Sequence, residues 1–329
     1  MEKLRIVYLG TPDFAVEPLR RLVERQKADE GCGFEVVGVV TMPDKVINKR
    51  GAQLLMSPVK QFALASNLPL LQPVSLKDEA FLSELAAWRA DLQIVVAFRM
   101  LPESVWNMPR LGTFNLHASL LPQYRGAAPI NWAIINGDKE TGVTTFFLKH
   151  EIDTGDIIMQ DIVPIDSADT AGTLHDKLML TGGDTVMRTV EAIVEGRAEA
   201  LPQERLYKSA DELRPAPKIF RDTCLIDWNK SAQAIYDFVR GMSPYPAAWA
   251  EIITADGGAV ALKVYEAGIE EAAHDKERGT LLTDGKNYVK IAVDGGYVHL
   301  LSVQLQGKKR MPVADLLRGF NMQGAKIAK

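Results

Sequence analysis

The feature that most limits the possible folds is the alternation, over the first hundred residues, of short apolar runs with stretches of helical period. LRIVYLG (4–10), FEVVGVVT (34–41), LPLLQ (68–72) and DLQIVVAF (91–98) are close to continuously apolar, as strands buried on both faces must be. Helical stretches separate them. One runs from near Phe14 through LRRLVERQ, one is capped by Ser57 with Pro58 in its first turn, and one covers 78–89. Strands that alternate with helices imply right-handed crossovers and a mostly parallel, Rossmann-like sheet, the α/β class. After a fifth strand, GTFNLHAS (112–119), TGVTTFFLKH (141–150) and DIIMQDIVPI (156–165) alternate polar and apolar residues, which predicts an antiparallel edge. A helix is expected from Thr170 to Val194, with Thr181, Gly182 and Gly183 as its weakest stretch.

At 329 residues the chain is long enough for two domains. Residues 196–218 are rich in Pro, Glu, Lys and Ala without a period and read as a linker, so the expected division is 1–206 and 207–329. Beyond the linker come a helix over 231–240, the Pro-aromatic turn SPYPAAW (243–249), and short strands with turn signals at 256–258, 284–286 and 294–296. That spacing predicts a smaller β-barrel. Hydrophobic residues at 47% and charged residues at 24% exclude disorder, and the formal charge of −4 provides no global attraction for polyanions. Two distant cysteines, Cys32 and Cys224, fit a reducing compartment and supply no thiolate cluster. Apolar runs such as IVVAF (94–98) fall short of the roughly 20 residues that span a bilayer. The start of the chain lacks the apolar core of a signal peptide, so a cytoplasmic location without membrane attachment is expected.

The first strand ends in LGTPDF, with one glycine where a dinucleotide fingerprint needs three, and no phosphate loop of the G-x-x-x-x-G-K-[ST] type is present. The residues that carry chemistry lie in FNLHASLLPQYRGAAPINWA (114–133). The two-residue period of a strand puts Asn115, His117 and Ser119 on one face, opposite Phe114, Leu116 and Ala118. A polar face on a buried strand costs free energy unless it is hydrogen-bonded or borders a cavity. A histidine alone is usually a satisfied core imidazole; an amide two residues before it and a Pro- and Gly-rich loop after it favour a site. An amide can donate to a developing oxyanion and an imidazole can take a proton from an amine, which together suit acyl transfer. Asp153, in the turn sequence Asp-Thr-Gly, is the candidate carboxylate to orient the ring. His117, His150, Glu151, Asp153 and His175 lack the spacing of a dedicated metal site, and Ser119 does not sit in a nucleophile elbow, so neither metal nor covalent catalysis is expected.

From end to end the chain resembles the methionyl-tRNA formyltransferase family. The segments that carry the resemblance, in order, are LGTPDFA (9–15), TMPDK (41–45) with KRG following, SPVK (57–60), QPVSL (72–76), VVAF (95–98), NLHASLLPQYRGAAPI (115–130), ETGVT (140–144), IDTGDI (152–157), GTLHDKL (172–178) and IDW (226–228). The resemblance implies formyl transfer from 10-formyltetrahydrofolate, a co-substrate, to the amino group of methionine on initiator tRNA. It implies Asn115, His117 and Asp153 as the catalytic trio and Ser119, Leu120, Leu121 and Pro122 as folate neighbours. The loop Lys45 to Met56, with Lys45, Lys49 and Arg50, would reach the tRNA acceptor end, and the C-terminal barrel would be oligonucleotide-binding-like.

Three places depart from the family's common pattern. Arg99 stands where glycine is usual, which is expected to reshape the neighbouring folate pocket. His150 and Glu151 replace the common residues before the catalytic turn and are expected to be solvated. The loop after PDK carries fewer basic residues. Residues 281–329 hold eight basic against three acidic residues, a local +5 that suits phosphate contact despite the overall negative charge. Lys308, Lys309 and Arg310 in the GKKRMP turn are its densest part. Folate-dependent formyl transfer to an amino-sugar nucleotide is the alternative function; the basic stretches favour tRNA. No dimerisation helix is evident, and a monomer is expected.

Overall fold

The computed structural model describes residues 3–48 and 52–328. In chain order the first part carries β1 (Leu4–Gly10), α1 (Val16–Ala28), β2 (Phe34–Val40), β3 (Lys45–Asn48), β4 (Ala52–Leu55), α2 (Pro58–Ala65), β5 (Leu70–Leu71) and α3 (Glu79–Ala87). It continues with β6 (Leu92–Val96), α4 (Glu103–Trp106), β7 (Thr113–His117), α5 (Pro129–Ile135), β8 (Glu140–Phe147), β9 (Ile157–Pro164) and α6 (Ala171–Val194). After these come α7 (Ala232–Met242), β10 (Ala248–Ile253), β11 (Ala259–Glu271), β12 (Leu281–Thr283), β13 (Val289–Val293), β14 (Gly296–Leu305), β15 (Met311–Pro312), α8 (Val313–Leu317) and β16 (Lys326–Ile327).

The chain divides into two compact units. One comprises residues to Gly126, Thr141–Val163 and His175–Pro215; the other comprises Ala127–Glu140, Pro164–Leu174 and the chain from Ala216 onward.

The first unit is built on a sheet of order β5-β2-β1-β6-β7-β8-β9. It is parallel from β5 to β7, and β8 runs antiparallel to β7, as the change of pattern after residue 119 predicts. Ile6, Val7, Leu9, Val40, Ile94 and Val96 are fully buried in the central strands, which is why those runs carry no polar alternation. Ser57 accepts a hydrogen bond from the Lys60 amide and Asp78 from the Ala80 amide, so both expected helix entries are capped. The long helix expected over 170–194 is present, and α6 runs unbroken through Thr181, Gly182 and Gly183. A Cβ at Gly182 would stand 2.8 Å from Leu116 Cδ2, so this glycine lets the helix lie close to β7 rather than ending it.

The second unit is the antiparallel, barrel-like sheet the turn spacing predicts, of order β12-β13-β14-β11-β10-β16, with β15 beside β14. Register shifts near Glu266 bend the long β11 and let the sheet curl. Ile235, Val239 and Met242 of α7 pack into its core with Ala250, Leu262, Val264 and Leu300.

Candidate active site

Strand β7 delivers Asn115 and His117 to the end of the parallel sheet. Asn115 pairs with Val95 on one side and Phe146 on the other; His117 pairs with Thr144. The Asn115 side chain is half-buried and has no hydrogen-bond partner among the described residues. Strand pairing holds its backbone, and its side-chain amide keeps its hydrogen-bonding capacity uncommitted among the described residues. His117 is buried, and its Nε2–H donates to the Tyr124 carbonyl at 2.9 Å. A carbonyl only accepts, so this bond places the hydrogen of the neutral ring on Nε2 and leaves Nδ1 as the basic nitrogen. The edge of the ring also meets Phe146, with centroids 6.5 Å apart.

Asp153 comes from the turn between β8 and β9. Its φ of +55° is a left-handed conformation that an aspartate tolerates better than most residues. Its Oδ2 accepts from the Gly126 amide at 3.0 Å, two residues beyond the carbonyl that holds His117. Residues 124–126 therefore bind both side chains, although the ring's own hydrogen bond goes to Tyr124 and not to Asp153. Gly155 is required at the turn, because a Cβ there would fall 1.5 Å from the Phe147 carbonyl oxygen. Lys149 and Asp156 close the turn with a 2.7 Å ion pair, which raises the Lys149 ammonium above its ordinary pKa. His150 and Glu151 are exposed; His150 lies edge-on to Trp106 and 3.7 Å from Glu103.

Ser119, Leu120, Leu121 and Pro122 form the loop after His117. Ser119, Leu121 and Pro122 are buried and Leu120 is half-exposed. Thr144 fixes this loop by donating to the Ser119 carbonyl at 2.7 Å and accepting from the Leu121 amide at 3.1 Å, while Gln160 donates to the Leu121 carbonyl at 2.9 Å. Leu121 sits against Phe146 and Ile157. Leu120 is the member of the four with open surface.

The segment expected as a loop after PDK is a hairpin, β3 paired antiparallel with β4. Lys45 is exposed at its base, and Val46, Leu54 and Leu55 are more than half exposed. Lys49 and Arg50 lie outside the described residues. Three of the sequence motifs meet at the base of the hairpin. Asp44 of PDK lies 2.5 Å from Lys60 of SPVK and accepts from Gln72 of QPVSL at 3.0 Å, and Thr41 and Ser57 share a hydrogen bond of 2.9 Å. The Lys60 ammonium, with help from Gln72, holds the Asp44 carboxyl below the usual carboxylate range. Arg99 donates to the carbonyls of Pro73 and Val74 at 2.5 and 2.8 Å, so it braces the same QPVSL segment.

In the second unit Lys308 and Lys309 are exposed beside the turn at Gly307 and make no ion pair among the described residues. Arg310 is more committed. It donates to Ser302 at 2.7 Å, pairs with Glu266 and lies 4.6 Å from the Tyr265 ring centroid.

Sequence reading missed Gln203, which lies in the segment expected to be a linker. It is fully buried in the first unit and donates to the carbonyls of Asp153 and Gly155 at 2.9 and 2.7 Å. The neighbouring Leu201 is tied to Ile157 by two backbone hydrogen bonds of 2.8 Å. A glutamine in an aperiodic polar stretch gives no signal of burial.

A family model described as formyl transferase matches residues 4–190, and one described as formyl transferase, C-terminal domain, matches 218–321. A methionyl-tRNA formyltransferase of Parabacteroides distasonis is 62% identical over 319 residues, covering 97% of this chain and 96% of that protein. The chain belongs to the methionyl-tRNA formyltransferase family. A second methionyl-tRNA formyltransferase, from Bacteroides fragilis, is 60% identical over 98% of this chain and 97% of its own length. Among solved structures, WlaRD, a sugar 3N-formyl transferase, aligns over 94% of this chain and all of its own with a TM-score of 0.62 at 20% identity, a likeness of fold. Membership of the methionyl-tRNA formyltransferase family fits the two-unit architecture and the polar end of β7. Among the described residues no helix is long and apolar enough to cross a membrane.

Proposed function

We propose that this chain transfers the formyl group of 10-formyltetrahydrofolate to the α-amino group of methionine on initiator tRNA, giving N-formylmethionyl-tRNA for translation initiation. The observation that carries this reading is the convergence of His117 and Asp153 on residues 124–126, next to the unpartnered amide of Asn115.

The uncharged amine attacks the formyl carbon; the tetrahedral adduct then collapses with cleavage of its bond to the folate N10, which takes up the proton removed from the amine and leaves as tetrahydrofolate. Asn115 donates a hydrogen bond to the formyl oxygen as that oxygen gains negative charge, its side chain carried on a backbone held by strand pairing on both sides. His117 accepts the amine proton at Nδ1, the nitrogen left basic by the Tyr124 bond. Asp153 balances the positive charge the ring then carries. The loop Ser119–Pro122, pinned by Thr144, borders the pterin, and no covalent enzyme intermediate is needed.

In this proposal residues 1–206 perform the chemistry and 207–329 capture tRNA. Lys45, Lys49 and Arg50 meet the acceptor end, and Lys308, Lys309 and Arg310 meet phosphates further along. The protein acts as a cytoplasmic monomer. Purified protein supplied with 10-formyltetrahydrofolate should formylate methionyl initiator tRNA and leave an amino-sugar nucleotide unmodified. Transfer to the sugar in preference to the tRNA would overturn the reading.

A further inference from the structure

We infer that Gln203 is a positioning residue for the formyl-transfer site, holding the Asp153 turn and the Arg125–Gly126 backbone in a fixed relation through one buried amide. The inference rests on the proposed role of Asp153.

Four hydrogen bonds define the geometry. Gln203 Nε2 donates to the Asp153 and Gly155 carbonyls, at 2.9 and 2.7 Å. Gln203 Oε1 accepts from Arg125 Nε at 3.1 Å and from Arg125 Nη2 at 2.7 Å. Two donors and two accepted bonds account for the full capacity of a primary amide, and the side chain is fully buried. The next residue after Arg125 is Gly126, whose amide binds the Asp153 carboxylate. The four bonds and the Gly126 bond thus form a closed ring: Gln203 to Arg125, along the chain to Gly126, across to the Asp153 carboxylate, and back through the Asp153 carbonyl.

The turn needs such a brace. Asp153 has positive φ, Gly155 is pressed against the Phe147 carbonyl, and Ile152 is 62% exposed, so little apolar packing holds this stretch in place. No other side chain type fills the position. Glutamate keeps the acceptor for Arg125 but turns an anion toward two carbonyls. Leucine matches the volume and leaves the Arg125 donors and both carbonyls without partners. The ring adds to the Leu201–Ile157 backbone pair in tying this aperiodic polar segment to the first unit.

The test compares Gln203→Leu, Gln203→Glu, Asp153→Asn and the double variant Asp153→Asn with Gln203→Leu, in the full-length protein, by steady-state and single-turnover formylation and by thermal unfolding. Displacement of a catalytic group by a fraction of an ångström to an ångström costs on the order of ten- to a hundredfold in rate. The expected result is a loss of that size in kcat for both Gln203 variants, with KM for folate and tRNA within about twofold of the parent and a displaced pH profile of kcat. Because Gln203 acts through Asp153, the double variant should be no slower than Asp153→Asn alone. Folded Gln203 variants with parental kcat and pH profile, or multiplied losses in the double variant, would overturn the inference. A parental rate in Asp153→Asn itself would instead reject the role of Asp153, which separates the two failures. If Gln203→Leu does not fold, Gln203→Glu, which keeps the Arg125 bonds, carries the same comparison.

Discussion

Individual side chains here fall into reacting groups and braces, and the braces make the pH dependence predictable. Asp44 joins three segments distant in sequence through Lys60 and Gln72, and its carboxyl is held below the ordinary range chiefly by the Lys60 ammonium. A carboxylate whose folded pKa is depressed contributes stability that is present above its unfolded pKa, about 3.9, and is lost as pH falls through the folded value. Lys60→Met should therefore lower the melting temperature more at pH 7 than at pH 3, and should raise the Asp44 pKa as followed by NMR. An equal loss at both pH values would contradict the coupling. Asn115 and His117 were legible in the sequence because a two-residue period puts polar groups on one face of a strand that is otherwise core. The bond from His117 to Tyr124 was not legible, since a backbone carbonyl has no sequence signature, and neither was the burial of Gln203.

Elements were legible where periodicity was strong and less so where close approach decided the outcome. The parallel strands, the capped entry of α2 and the extent of α6 follow from their residues; the cap of α3, the continuity of α6 through its two glycines and the β3–β4 hairpin do not. Two adjacent glycines in α6 separate the causes. A Cβ at Gly182 meets Leu116 in strand β7 at 2.8 Å, whereas at Gly183 it meets Nε and Cδ of Arg21 at 2.7 and 2.9 Å, a partly exposed side chain that pairs with Glu17 and Asp184. Gly182→Ala should destabilise the fold by about 1–3 kcal/mol through overpacking, despite the better helix propensity of alanine. Gly183→Ala should cost less, about 0–1 kcal/mol, because the displaced Arg21 gives up partly exposed ion pairs while alanine gains helix propensity. Chemical denaturation of the two variants measures the difference, and a stabilised Gly182→Ala would show that α6 does not need its close contact with β7.

Over the whole molecule, a formal charge of −4 must coexist with capture of a polyanion, so the basic residues that matter are local. Lys308 and Lys309 are exposed and free of ion pairs among the described residues, while Arg310 already pairs with Glu266. Raising salt from about 50 to 200 mM should increase KM for tRNA steeply with little change in kcat, following counterion release. Replacing Lys308 and Lys309 by alanine should raise KM for tRNA, reduce that salt slope and leave KM for folate unchanged; an unaltered slope would remove this turn from the tRNA surface. In the proposed mechanism an amide and an imidazole at the end of β7, with a carboxylate bound at residues 124–126, perform the transfer. Asn115→Asp keeps the shape but puts an acceptor where the formyl oxygen gains charge. Its kcat should fall by about 10² to 10³ with the fold and tRNA binding retained. Turnover within a few fold of the parent would show that the Asn115 amide does not stabilise the developing charge.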